Sequence, residues 1–273
     1  MRTGQLQAGQ EGQAGRFRQG ALTVRDDGRV LIHREVVSYS RRDGRLDPRR
    51  QKAWDAHHAS YLIEPNRGLR NTSISPDWRL DPAAAFGWGT GEHPPLVVEI
   101  GSGTGDVLLD AARRHPGTSY LGLEVYLPGL ASTLIRAARE GLGNVRLVNA
   151  EALAVLRTAL PPSSVNEVWV FFPDPWPKAR HHKRRLVAGP FLDAAARVLV
   201  PGGVLRLATD WSDYGAQMTA LTAAHPAFDG GPSPRFDRPL TRFERKGLDL
   251  GRTITDLTLV LREPGTTGRS AQR

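Results

Sequence analysis

Cysteine is absent from the 273 residues, and that absence removes whole classes of chemistry. No disulfide can staple the chain, no thiolate can ligate zinc, and no cysteine nucleophile can open a covalent pathway. C5 methylation of pyrimidines, which normally needs a thiolate to activate the ring, is disfavoured with them. Long apolar runs are missing as well. No stretch approaches the ~20 consecutive apolar residues of a bilayer-spanning helix, so no membrane association is expected. Met1 to Gly20 carries Arg2, Arg16 and Arg18 but no apolar core, unlike a secretory signal, and a cytoplasmic location is expected. Acidic residues are in deficit: 28 Asp and Glu face 37 Lys and Arg, a formal net charge of +9. Such a surplus suits a polyanionic partner, although an arginine-rich genome would give the same total. The clustering of the charge has to decide.

Hydrophobic residues make up 40% of the chain, enough for one sizeable core. Residues 1–35, Gly- and Gln-rich at the start and basic overall, read as a disordered lead-in, and 264–273 as a disordered polar tail. Residues 36–263 read as one domain, with an N-terminal extension and long connection over 36–95 and a core over 96–263. The stretch 64–95 holds several Pro, Gly and Trp residues without clear periodicity. From Leu96 short apolar runs alternate with helical spacing. Strands are expected at Leu96–Ile100, Ser119–Val125, Asn144–Val148, Glu167–Phe172 and Val204–Ala208. Helices are expected at Asp106–His115, Gly129–Glu140, Ala152–Leu160 and Pro190–Leu199, with a turn at Pro201-Gly202-Gly203. This alternation predicts a doubly wound, mostly parallel sheet, and Thr253–Leu261 predicts a late antiparallel strand.

The first strand runs into Glu99-Ile-Gly101-Ser-Gly103-Thr-Gly105-Asp106. A glycine loop there lets backbone approach a ligand closely. The glycines fall as GxGxG rather than the GxGxxG of dinucleotide sites, and the pattern resembles the S-adenosylmethionine loop of Rossmann-like methyltransferases. That ligand carries an α-ammonium and no phosphate, which suits Glu99. Glu124, closing the second strand, is placed to accept hydrogen bonds from ribose hydroxyls, and Glu151 stands after the third strand near where an adenine amino group would lie. The fourth strand ends in Phe171-Phe-Pro-Asp174-Pro-Trp176-Pro-Lys178. Asp174 is therefore expected in the crevice beyond the strand ends, and Trp176 offers a flat face for a base. Next comes Lys178-Ala-Arg180-His181-His182-Lys183-Arg184-Arg185, without one acid. Beside a catalytic crevice such a run is expected to meet phosphates. The two histidines lack metal-ligand spacing, and no metal is expected.

EIGSGTG, LGLEV, FFPDPWPKARHHKRRL, LATDWSDY and TRFERKG, in that order from Glu99 to Gly247, together with SYSRRDGRL at Ser38–Leu46, resemble the bacterial tRNA (guanine-N7)-methyltransferases. The resemblance implies an α/β, Rossmann-like class I fold whose seven-stranded sheet has one antiparallel strand. It implies S-adenosylmethionine contacts at Glu99, Glu124, Glu151 and Asp174, with Gly101, Gly103 and Gly105 forming the loop, and Asp174 as the catalytic residue. It further implies substrate contacts at Lys178, Asp210, Thr241, Arg242, Phe243 and Glu244, and RNA contacts from Arg180, His181, His182, Lys183, Arg184 and Arg185. The partner is then tRNA and the target its variable-loop guanine, position 46 in tRNA nomenclature, with the protein a monomer or weak homodimer. Arg41, Arg42 and Arg45 are candidates to grip the tRNA body. Relatives often place Asp or Asn where Glu151 stands. Three other readings compete: a methyltransferase for exocyclic amines of RNA or DNA, a nicotinamide oxidoreductase, which the glycine spacing disfavours, and a non-catalytic RNA-binding protein with a relic loop, which an intact Glu99, Glu124 and Asp174 set disfavours.

Overall fold

A computed structural model describes residues 22–24, 30–32, 45–68 and 72–263. The chain divides into two units, residues 1–36 and 37–273. In the first, β1 (Leu22–Val24) and β2 (Val30–Ile32) pair antiparallel, with Leu22 opposite Ile32. The rest of the expected lead-in, Arg41 and Arg42, and the expected tail 264–273 lie outside the described residues.

The second unit begins with helices α1 (Pro48–Tyr61) and α2 (Pro82–Phe86). Five strand–helix steps follow: β3 (Leu96–Ile100), α3 (Asp106–Arg114), β4 (Ser119–Leu123), α4 (Leu127–Glu140), β5 (Val145–Val148), α5 (Ala152–Ala154), β6 (Val165–Phe171), α6 (Gly189–Val198), β7 (Leu199–Thr209) and α7 (Ser212–Ala224). The chain closes with β8 (Phe228–Pro232), α8 (Arg242–Asp249) and β9 (Thr255–Leu261). The seven strands lie in the order β5-β4-β3-β6-β7-β9-β8. Pairs from β5 to β7 are parallel, and β9 runs antiparallel to both its neighbours. This is the doubly wound, mostly parallel sheet that the pattern predicts, with the seven strands, one antiparallel, that the resemblance implies.

Strand side chains alternate between faces, and each face has its own core. Leu96, Val98, Ile100, Leu121 and Val168 join Phe191, Leu192 and Tyr214 on one side, whereas Val97, Tyr120 and Trp169 join Leu108, Leu109, Leu130 and Leu134 on the other. Pro201-Gly202-Gly203, read as a turn, lies inside β7. The register against β6 jumps there from Val165 opposite Leu199 to Glu167 opposite Val204, so the three residues form a bulge rather than an end. The described part of segment 64–95 is packed on the core: Leu80 donates to the Ala159 carbonyl at 3.0 Å, and Ile74, Trp78 and Leu80 are buried. Just before it, Leu62 bridges Leu147 in parallel and Ile63 donates to the Leu147 carbonyl at 2.8 Å, pairing part of the β5 edge that would otherwise expose backbone. No helix of the described residues is long and apolar enough to cross a membrane.

Candidate active site

The sheet order reverses between β3 and β6. From β3 the chain winds one way through β4 and β5, and from β6 the other way through β7. A crevice opens beyond the carboxyl ends of strands at such a switch point. The two loops leaving β3 and β6 there are the glycine loop and the proline–tryptophan motif.

Gly101, Gly103 and Gly105 take φ values of 74°, 55° and 76°, a region that costs other residues roughly 1–2 kcal/mol. Their surroundings differ. A Cβ on Gly105 would stand 2.5 Å from Thr133 Cγ2, whereas a Cβ on Gly101 would meet nothing within 4 Å. Gly105 is therefore small because α4 presses on it, and the Gly101 side is open to a ligand. Glu124 holds the loop in shape. Its carboxylate accepts N–H groups from Gly103 at 2.8 Å and from Val125 and Tyr126 at 2.7 Å each. Asp106, at the start of α3, is ion-paired with Arg136 at 2.6 Å.

Acids dominate this half of the crevice. Burial, and after it the charge of Glu124, pushes the Glu99 carboxyl up to about 8. Its Oε2 atom is buried and has no hydrogen-bond partner. Burial likewise raises Glu124, its three backbone donors oppose that, and the charge of Asp174 adds to it. Glu124 thus acts electrostatically on Glu99, and Asp174 on Glu124, across the switch point. Glu151 stands at the start of α5, and its N–H donates to the Thr72 carbonyl at 2.8 Å. Asn149, between β5 and α5, donates to the Glu124 carbonyl at 2.8 Å and ties this third loop to the second. A cationic ligand with a close-lying ammonium fits such a site: it would satisfy Glu99 Oε2 and lie over the open side of the glycine loop. S-adenosylmethionine has both a sulfonium and an α-ammonium.

On the opposite wall, Asp174 sits between two strained residues. Phe172 and Trp176 have φ values of 54° and 46°. Non-glycine residues in this region cost of order 1–3 kcal/mol each and persist where surrounding contacts fix them. Several contacts do so here. Phe172 N–H donates to the Ala208 carbonyl at 2.8 Å, Arg185 Nε donates to the Pro175 carbonyl at 2.9 Å, and the Arg184 guanidinium lies 3.6 Å from the centre of the Trp176 ring. One face of Trp176 is therefore already stacked on an arginine.

The basic run forms a 3-10 turn over Ala179–Arg184. Lys178, Arg180 and Lys183 are exposed, while His181, His182 and Arg184 are half-buried. Arg185 departs from the rest of the run: its side chain is 1% exposed and ion-paired to Asp213 at 2.5 Å, so it faces the protein interior. The ion pair with Arg185 holds the Asp213 carboxyl below its usual range.

The Thr241–Glu244 segment needs the same division. Thr241 caps α8, its hydroxyl accepting the Glu244 N–H at 3.1 Å. The Glu244 side chain is buried between Arg235 at 2.7 Å and Arg238 at 3.0 Å, and Arg238 also pairs with Asp256 at 2.5 Å. These two residues build the helix, while Arg242 and Phe243 stand exposed on it, Phe243 at 58%. Asp210, after β7, is ion-paired with Arg252 at 2.6 Å. The sequence reading missed Arg238, whose guanidinium lies 4.9 Å from the Phe171 ring centre and 5.6 Å from that of Phe172, behind the Asp174 loop. No spacing rule links it to Glu244 and Asp256. Among the described residues no group of three His, Asp or Glu side chains is arranged to hold a metal ion.

A family model described as a putative methyltransferase matches residues 93–257. The chain is 45% identical over 216 residues to a tRNA (guanine-N(7)-)-methyltransferase of Paenarthrobacter aurescens, covering 78% of this chain and 70% of that one. It is 44% identical over 234 residues to the tRNA (guanine-N(7)-)-methyltransferase of Cutibacterium acnes, covering 83% of each. Among solved structures it is similar to a 16S rRNA (adenine(1408)-N(1))-methyltransferase from Catenulisporales acidiphilia, with a TM-score of 0.47, 20% identity, and coverage of 72% of this chain and 97% of that one.

Proposed function

Because the chain belongs to the tRNA (guanine-N(7)-)-methyltransferase family, we propose that it moves a methyl group from S-adenosylmethionine to N7 of the variable-loop guanine of tRNA, in the cytoplasm. When bound, S-adenosylmethionine supplies an electrophilic methyl on a positively charged sulfur. Glu99 takes the ammonium end, Gly101, Gly103 and Gly105 give the backbone clearance, Glu124 takes the ribose hydroxyls with the oxygen lone pairs its backbone donors leave, and Glu151 faces the adenine. Guanine N7 is an unprotonated lone pair, so the chain needs no general base for the nucleophile. It must hold the base in line with the methyl.

Asp174 is the catalytic residue in this reading. It stands in the crevice where the ring gains positive charge, and a fixed carboxylate there stabilises that charge. Guanine also presents two donors, N1–H and the N2 amino group, which one carboxylate can accept together and which adenine lacks. Asp174 or Asp210 reads that edge. Lys178, Arg180, His181, His182, Lys183 and Arg184 meet the RNA backbone on one side, and Arg242 and Phe243 on the other. Thr241 and Glu244 support the helix that presents that second pair.

The observation that carries this reading is the convergence of Glu99, Glu124 and Asp174 at the sheet reversal, with the basic turn directly following Asp174. Incubating the protein with unmodified tRNA and labelled S-adenosylmethionine, then resolving nucleosides by mass, tests it. N7-methylguanosine formed only with protein is the expected result. N6-methyladenosine or N2-methylguanosine would replace the acceptor with an exocyclic amine.

A further inference from the structure

We propose that Arg185 is a positioning residue that sets the Asp174 loop against the loop carrying Asp210, and so fixes where the acceptor base is held. The inference rests on the reading of Asp174 and Asp210 as acceptor-side carboxylates. The guanidinium engages three segments through all three of its nitrogens. Nε donates to the Pro175 carbonyl at 2.9 Å, one residue beyond Asp174 and inside the interval bounded by the left-handed Phe172 and Trp176. Nη1 donates to Gln217 Oε1 at 2.5 Å and Nη2 to Asp213 Oδ2 at 2.5 Å, both in α7, which begins two residues after Asp210. Nη2 also lies 3.1 Å from His182 Nε2 in the basic turn.

The clamp is itself held. The Arg185 guanidinium lies over the Tyr214 ring at 4.8 Å, and the Tyr214 hydroxyl accepts the Val187 N–H at 2.9 Å, two residues past Arg185. Arginine is required here for its geometry rather than its charge. A planar fork reaches a carbonyl, an amide oxygen and a carboxylate at once, and a single ammonium cannot. A phosphate contact, by contrast, tolerates lysine as a point charge. The Arg185→Lys substitution therefore separates the two roles.

With wild-type tRNA as acceptor, Arg185→Lys is expected to lower kcat roughly 10- to 100-fold, since a displacement of about 1 Å at a reacting group costs around 10²-fold. The KM for tRNA should stay within about twofold, as expected when ground-state binding is untouched. Amide hydrogen exchange at Phe172, Asp174, Trp176 and Lys178, the residues of 172–178 that carry an N–H, should quicken about tenfold while β3, β4 and β5 keep their protection, the signature of local rather than global opening. Asp213→Asn carries the same test on a partner whose side chain is 60% exposed, with a several-fold effect in the same direction, and serves if the lysine variant fails to fold. Unchanged kcat and unchanged tRNA KM in Arg185→Lys would overturn the proposal in favour of phosphate contact, for which a point charge suffices. Unchanged exchange at 172–178 in both variants would overturn it outright. The exchange readout does not depend on which base is methylated, so a different product would refute the assigned acceptor and leave this inference standing.

Discussion

The two walls of the crevice are built on opposite plans. The glycine-loop wall, from β3 to β5, is acidic, and its central carboxylate is fixed by backbone: Glu124 accepts three N–H groups, two of them from residues within two positions of it. The acceptor wall, from β6 to α8, is basic at its surface, and its carboxylates and strained loop are held by long-range side-chain pairs. Arg185 reaches Asp213, Arg238 reaches Asp256, and Arg252 reaches Asp210. A wall organised by its own backbone can hold one invariant ligand. A wall organised by distant arginines can be redrawn by moving one pair, which suits the side that must recognise a particular nucleic acid.

Substitutions on both walls would break or sharpen that contrast. The largest expected effect is Asp174→Ala, which should lower turnover at least roughly 10²–10³-fold while the thermal midpoint stays near wild type. Near-wild-type turnover in single-turnover assays would move the catalytic carboxylate elsewhere. Next, Glu244→Ala removes the carboxylate shared by Arg235 and the buried Arg238, leaving Arg238 on Asp256 alone, and should cost about 3 kcal/mol in urea unfolding, whereas Arg242→Ala should spare stability and raise the tRNA KM. Equal stability in the two variants would return Glu244 to the RNA surface. Third, Gly105→Ala meets Thr133 and should cost roughly 1–3 kcal/mol of stability. Gly101→Ala meets open space, so its stability cost should be the smaller, limited to backbone conformation, and its main defect should be in ligand binding by calorimetry.

A further effect is in pH. The Glu99 carboxyl rises from 4.5 in the unfolded chain to about 8 in the fold. Between those values the folded chain binds more protons than the unfolded one, so ligand-free stability attributable to Glu99 falls as pH rises from about 4.5 to 8. Glu99→Gln should remove that slope, making the ligand-free variant relatively more stable at pH 8 than at pH 5. Binding an ammonium at Glu99 should release a proton near pH 7, read by calorimetry in buffers of different ionisation heat. Absence of proton release would place the ammonium away from Glu99.

Legibility in the sequence followed the same division. Strands β3 to β6 are apolar runs bounded by glycine and proline, and their parallel pairing follows from alternation with helices, so the glycine loop was placed correctly from spacing alone. Helix α1 was missed because it carries little apolar periodicity, although Asp47 and Pro48 mark its start as N-cap and first residue. Strand β8 was missed because Phe228-Asp-Gly-Gly-Pro232 has turn composition, tolerable only at the sheet edge it occupies. Arg185 stands in an unbroken cationic run, and nothing local distinguishes it from Arg184. The partners that draw it inward are 28 and 32 residues away, beyond any periodicity rule.

The three-way acceptor role of Glu124 has a consequence for how fast the enzyme can turn its ligand over. A loop whose shape depends on its own carboxylate keeps that shape when the nucleoside leaves, so little conformational entropy is lost or regained at each exchange of methyl donor for spent product. The ordering cost that binding ordinarily incurs was met once, during folding. Release of product then requires no rearrangement of this wall, and any slow step in the cycle falls to the basic wall and its RNA.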